Sequence, residues 1–136
     1  MNDPRSAFRE ARKIAIEKFT IAYPEHLPIS AKVEEIKSLW KDSRLLILGG
    51  ATGSGKTTQL PKIALELGRG IAGRIGCTQP RRIAATAMAR RLSNELKCEY
   101  GSGVGSQVRF EDRTSQETVL KFMTDGILLA EFRDDP

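Results

Sequence analysis

Gly50, Gly55, Lys56 and Thr57 satisfy the spacing G-x-x-x-x-G-K-[ST], the pattern of a loop that cradles phosphate. Through Gly50, Ala51, Thr52, Gly53, Ser54 and Gly55 the side chains are small or absent. The backbone can therefore curl until successive N–H groups, continuing through Thr58, point at phosphate oxygens. A helix starting at this point adds the partial positive charge of its N-terminus. Lys56 is placed to reach the outer phosphates, and the Thr57 hydroxyl suits Mg²⁺, which prefers hard oxygen donors. The chemistry implied is binding of ATP with Mg²⁺. The alternative is a glycine turn that happens to precede a lysine; with glycine at about 7% of residues, a chance match in a chain this size is roughly a one-in-a-hundred event.

Such a loop works only between a buried strand and a helix. Leu45 to Leu48 is a short apolar run ending in Gly49 and Gly50, which predicts a parallel strand. The helix is predicted from Gly55 to Leu67, stopped by Gly68 and Gly70, although Pro61 falls inside it and removes a backbone donor. Upstream, residues 6–19 have near-helical apolar spacing, the prolines of Tyr23–Pro28 interrupt, and Ser30 is positioned to cap a helix over Ala31–Lys41. Downstream, the pattern predicts a strand over Ala72–Cys77 and a helix over Arg82–Leu96 with Ala84, Ala85, Met88, Leu92 and Leu96 inward. Gly101, Gly103 and Gly105 form a loop before strands at Gln107–Phe110 and Thr118–Met123. Thr124 then caps a last helix from about Gly126, which carries Ile127–Glu131. Strands alternating with helices predict an α/β fold, a parallel sheet covered on both faces.

The 136 residues suffice for one core. No apolar run approaches the roughly 20 residues that span a bilayer, and the mixed charges before residue 18 do not form a secretion signal, which points to a cytoplasmic protein without a membrane segment; a monomer is expected. Cys77 and Cys98 are too far apart in sequence for a metal-ligand pair and read as small buried thiols; His26, between two prolines, reads as a surface residue. The net charge of +5 is uneven: Arg81, Arg82, Arg90, Arg91 and Lys97 stand against Glu95 alone. That is either a phosphate-facing surface or a solvated helix face.

Four strings in order, GATGSGKTTQLPK at 50–62, TQPRRIAATAMARRL at 78–92, VRFEDRTS at 108–115 and KFMTDGILLAE at 121–131, resemble the DEAH-box RNA helicases, and among them the bacterial HrpA type. The resemblance covers residues 27 to 133. It implies a P-loop NTPase of RecA-like fold, with residues 1–28 a helical extension and 29–136 the first part of the first RecA-like domain. Thr78, Gln79, Arg81 and Arg82 would lie on the backbone of single-stranded RNA, or of DNA. Thr124 and Asp125, with Gly126, would make a second backbone contact. Arg109 and Phe110 match an arginine–phenylalanine pair near the nucleic acid, with a core phenylalanine as the alternative. Arg91 matches the arginine that stacks on adenine, with a solvated helix arginine as the alternative.

The chain departs from that pattern at Ala51, where family members usually carry glutamate. The family's D-E-A-H string, which holds Mg²⁺ and orients the attacking water, is not among these residues; Asp134 and Asp135 lack a buried strand before them. The expectation is an ATP-dependent RNA helicase whose residues 1–136 alone bind nucleotide weakly and turn over almost none. The rival readings are a P-loop kinase or NTPase unrelated to nucleic acid, and a non-catalytic remnant.

Overall fold

The computed structural model describes residues 4–49 and 55–134, with side chains over 5–49 and 55–133. Gly50 to Ser54, most of the phosphate loop, lie outside the described residues, as does Asp135. Helix α1 (Pro4–Lys18), a 3-10 turn (Pro28–Lys32), α2 (Val33–Lys41) and α3 (Lys56–Glu66) come first. Strand β1 (Ile75–Gln79), α4 (Arg82–Leu96), β2 (Val104–Val108), β3 (Glu111–Arg113), β4 (Leu120–Thr124) and α5 (Asp125–Asp134) follow.

The sheet order is β1-β4-β2-β3. β4 runs parallel to both β1 and β2, whereas β3 pairs antiparallel with β2, Val108 facing Glu111 across a two-residue turn. The sheet is thus mixed rather than wholly parallel. The short β3, Glu-Asp-Arg, is exposed throughout, so no apolar alternation marks it in the sequence. Its first residues follow the Arg109–Phe110 reversal, and Phe110 takes the left-handed conformation, φ 68°, that such a tight turn demands.

α4 lies across β1, β2 and β4 and buries Ala85, Ala89, Leu92, Ser93 and Leu96. With Val104, Val119, Leu120 and Phe122 these form the main core. Ala15 of α1 joins the same core, with Ile16 and Phe19 packed against it. A Cβ at Gly103 would meet Phe19 Cε1 at 2.5 Å, so glycine there is what lets α1 seat. A second cluster gathers Ile29, Val33, Ile36 and Ile63 between α2 and α3. Cys77 and Cys98 are free and half-buried against the main core, and burial pushes the Cys77 thiol up to about 12. His26 is exposed. No helix among the described residues is long and apolar enough to cross a membrane.

Two local expectations fail for physical reasons. Leu45–Leu48 does not form a strand among the described residues. Leu46 and Leu48 turn toward the α2–α3 cluster while Leu45 and Ile47 are 75% and 85% exposed. The alternation of a strand is present, but among the described residues no strand pairs with it. Ser30 does not cap a helix: its hydroxyl donates to the Pro24 carbonyl at 2.5 Å, and the chain forms the 3-10 turn before α2 begins at Val33. The strands near 75, 104 and 120 are also shifted by one to three residues from their expected bounds, so that Gly105 lies inside β2 and Thr124 inside β4.

Candidate nucleotide and nucleic-acid site

Gly55 is the N-cap of α3 in the left-handed conformation, φ 95°, without a side-chain cap. A Cβ there would meet Leu27 Cδ1 at 2.9 Å, so the residue is fixed as glycine by both conformation and space. The intrahelical ladder begins with Gln59 N–H donating to the Gly55 carbonyl at 2.9 Å. The earlier N–H groups of α3 are the donors that a helix start leaves for an anion. Pro61 is buried inside α3, and its helix is held from the side by polar contacts.

Those contacts were not legible from spacing. Lys62 is 1% exposed, and its Nζ donates to the Ala22 carbonyl at 2.8 Å, Gln59 Oε1 at 2.9 Å and Glu95 Oε1 at 2.8 Å. All three ammonium donors are thereby used. Gln59, fully buried, donates to Thr58 Oγ1 at 2.8 Å and Glu95 Oε1 at 3.0 Å. Burial raises the Glu95 carboxyl, but the hydrogen bonds from Lys62 and Gln59 and the charges of Lys62 and Arg91 together hold it below the usual range. The only sequence signal was a lysine next to buried Ile63 on a helix with an apolar face.

Lys56 and Thr57 line a cleft of about 790 Å³ that also takes in Thr78 and Gln79. The cleft runs along the edge of β1 that no described strand occupies. The parallel register aligns Thr78 with Met123 and Gln79 with Thr124, so the ends of β1 and β4 reach one sheet edge together, and Asp125 follows at once as the first residue of α5. Arg81 is the extended N-cap of α4. Arg82 Nη2 donates to the Arg109 carbonyl at 3.1 Å, which ties the β2–β3 turn to the start of α4. The Arg109 guanidinium lies 4.8 Å from the Phe110 ring centre, and Phe110 is 91% exposed, so it is not a core phenylalanine.

The structure therefore gathers Lys56, Thr57, Thr78 and Gln79 around one cleft, and Gln79, Thr124 and Asp125 at one edge. Arg109 joins the start of α4 at Arg82. Arg91 is set apart. It does not line the cleft; its Nε lies 3.8 Å from Glu95 Oε2, and its side chain is 58% exposed. Gly50 to Ser54 lie outside the described residues.

No family model matches the chain. Curated relatives do. The chain is 56% identical over 115 residues to the ATP-dependent RNA helicase HrpA of Escherichia coli, a match spanning 85% of the chain and 9% of that relative. It is 52% identical over 126 residues to the HrpA homolog of Haemophilus influenzae, spanning 93% of the chain and 10% of the relative. The match to the human probable ATP-dependent RNA helicase DHX40 is 50% over 109 residues, 80% of the chain and 14% of the relative. Over most of its length the chain is similar in sequence to DEAH-box helicases. It spans about a tenth of the length of the relatives it matches. The four-stranded α/β arrangement is that of part of a RecA-like helicase domain. Three of the four DEAH-box strings thus meet at, or are tied to, one end of its sheet, and the fourth opens the helix beside it.

Proposed function

We propose that the chain is the nucleotide- and RNA-binding part of an ATP-dependent RNA helicase, residues 29–136 contributing to its first RecA-like domain and residues 1–28 extending it. The observation that carries this reading is the register of β1 with β4. It sets Gln79 beside Thr124 at the end of the sheet where the cleft holding Lys56 and Thr57 opens. Ligands of open α/β sheets bind beyond the carboxyl ends of the strands.

Gly55, Lys56, Thr57 and Thr58 fit a nucleotide phosphate. The glycine cap leaves no side chain over the helix start, Lys56 supplies charge, and the exposed Thr57 hydroxyl supplies a hard oxygen for Mg²⁺. ATP, when bound, supplies the phosphoryl group whose transfer drives movement on RNA. Arg91 would leave Glu95 to meet the base. Thr78, Gln79, Arg81, Arg82, Arg109, Thr124 and Asp125 would track a single RNA strand through its backbone; hydroxyl, amide and guanidinium groups donate to phosphates of any sequence, and the Asp125 carboxylate would accept from a ribose 2′-hydroxyl. Residues 1–136 contain no D-E-A-H string, and phosphoryl transfer requires the attacking water and the developing charge to be positioned. These residues alone would then bind nucleotide and turn over almost none.

Photocrosslinking of a 4-thiouridine RNA, with peptides mapped by mass spectrometry, tests the reading. Crosslinks should fall in 78–82, 109–110 and 124–125. Crosslinks confined to other segments, or none, would contradict it.

A further inference from the structure

At the opposite end of β1 lies a second concentration of positive charge. Arg5, Arg9 and Arg12 recur at four- and three-residue spacing along α1 and so share one face. They line a pocket of about 680 Å³, closed across from them by Ala72 and Gly73, which lead into β1.

Arg12 is the anchor of this pocket. It is 8% exposed, and its Nε and Nη2 both donate to the Ile71 carbonyl, at 3.1 and 2.8 Å. Its remaining N–H groups make no hydrogen bond among the described residues. Arg74, next to the pocket's Gly73, is held in the same manner, donating to the carbonyls of Thr118 at 3.2 Å and Ser115 at 2.6 Å. Carbonyl oxygens orient a guanidinium but do not neutralise it. Among the described residues no carboxylate forms an ion pair with Arg9, Arg12 or Arg74; the pairs that do form involve other cations. Burial, followed by the like charges of Arg74 and Arg9, accordingly holds the Arg12 guanidinium below its ordinary range.

Arg9 and the anchored Arg12 bring two like charges to one concavity, and an anion there would relieve their repulsion. A phosphate oxygen pair matches the planar fork of arginine donors. The Gly73 position adds room, for a Cβ there would meet nothing within 4 Å.

We propose that the Arg9–Arg12 pocket binds a backbone phosphate of RNA, a second phosphate site at the end of β1 opposite Gln79. The pocket takes its ligand from the RNA-binding reading above. A passing acidic protein segment is the competing occupant, but guanidinium forks lined up along a helix face suit a repeating phosphate chain, and the whole chain carries a net charge of +5.

The test is an amide-shift NMR titration of the chain with a 20-nucleotide oligouridylate, with a polyglutamate peptide and with inorganic tripolyphosphate, each at equal concentration. Arg9 is exposed, so Arg9→Gln leaves the core intact; Arg12→Lys keeps a donor to Ile71. The oligouridylate is expected to shift the amides of Arg9, Arg12 and Gly73 as well as those of 78–82. Arg9→Gln should abolish the first set, keep the second, and weaken RNA binding several-fold with a salt slope shallower by about 0.7. Shifts at 78–82 with Arg9, Arg12 and Gly73 unmoved would overturn the proposal and leave the RNA-binding reading standing. Larger shifts at Gly73 from polyglutamate than from RNA would overturn it in favour of an acidic protein partner. Silence toward RNA at both places would sink both readings as far as RNA is concerned. In that case tripolyphosphate shifts at Gly73 that Arg9→Gln removes would keep the pocket as a phosphate site, and their absence would dispose of that too.

Discussion

Lys62 Nζ lies 2.8 Å from Glu95 Oε1, and through that pair the helix that opens at the phosphate loop is fastened to the helix that opens at Arg82. Lys62 is almost wholly buried while the Glu95 side chain is 21% exposed, so removing the acid strands a charge, whereas removing both partners does not. Glu95→Ala should cost about 3 kcal/mol in urea unfolding, and Glu95→Ala with Lys62→Met should cost less than the single change. A double variant less stable than Glu95→Ala would show that the pair contributes packing rather than a compensated charge.

The same carboxyl gives the stability a pH dependence. In Glu95, and in Glu66, burial raises the pKa but is outweighed, by Lys62 and Gln59 in the first and by Tyr23 and Lys37 in the second. Both carboxyls therefore sit below their unfolded value near 4.5. Their contribution is fully present above that value and is lost as pH falls through the lower folded values. The stability gap between the wild-type chain and Glu95→Gln should narrow steadily as pH is lowered below 4.5. A gap independent of pH would mean the folded carboxyl is not depressed.

Helix α5 rests on little apolar burial, with Leu129 and Phe132 66% and 58% exposed. The buried Lys121 of β4 is hydrogen-bonded to Glu131 on that helix, and this pair is the polar anchor of α5. Glu131→Ala is expected to raise hydrogen exchange across 127–133 at least tenfold while β4 stays protected. Unchanged exchange there would place the anchor elsewhere.

Much of the fold follows from periodicity. α4 occupies the residues its stripe predicts, because Ala85, Leu92 and Leu96 recur on one face and Arg82 follows an extended proline dipeptide. Legibility ends where a structure depends on distant partners. Leu45–Leu48 has strand chemistry, but no local pattern says whether a ladder will be beside it. Ser30 has a cap's chemistry but finds the Pro24 carbonyl instead. Lys62 and Glu95 are 33 residues apart, and nothing in either neighbourhood announces the other. The candidate site was legible as residue types; that Gln79 stands beside Thr124 came only from the register.

Phe110 is exposed in a left-handed conformation that costs an L-residue roughly 1–2 kcal/mol. Such a residue, at a turn whose Arg109 carbonyl accepts a hydrogen bond from Arg82, fits the proposed contact with RNA better than a packing role. Phe110→Gly should leave the melting temperature unchanged or higher and weaken RNA binding about tenfold, one stacked base being worth about 1–3 kcal/mol. Lost stability with RNA affinity retained would return Phe110 to a structural role.

On the proposed function, Arg81 and Arg82, at the start of α4 just after β1, hold RNA by its phosphates. This is tested by the affinity of the chain for a single-stranded oligouridylate as a function of salt, with and without Arg81→Gln and Arg82→Gln. Log affinity should fall linearly with log salt, with a slope that becomes shallower by about 1.4 when both arginines are changed. An affinity indifferent to salt, or a slope that the double change leaves as it was, would contradict it.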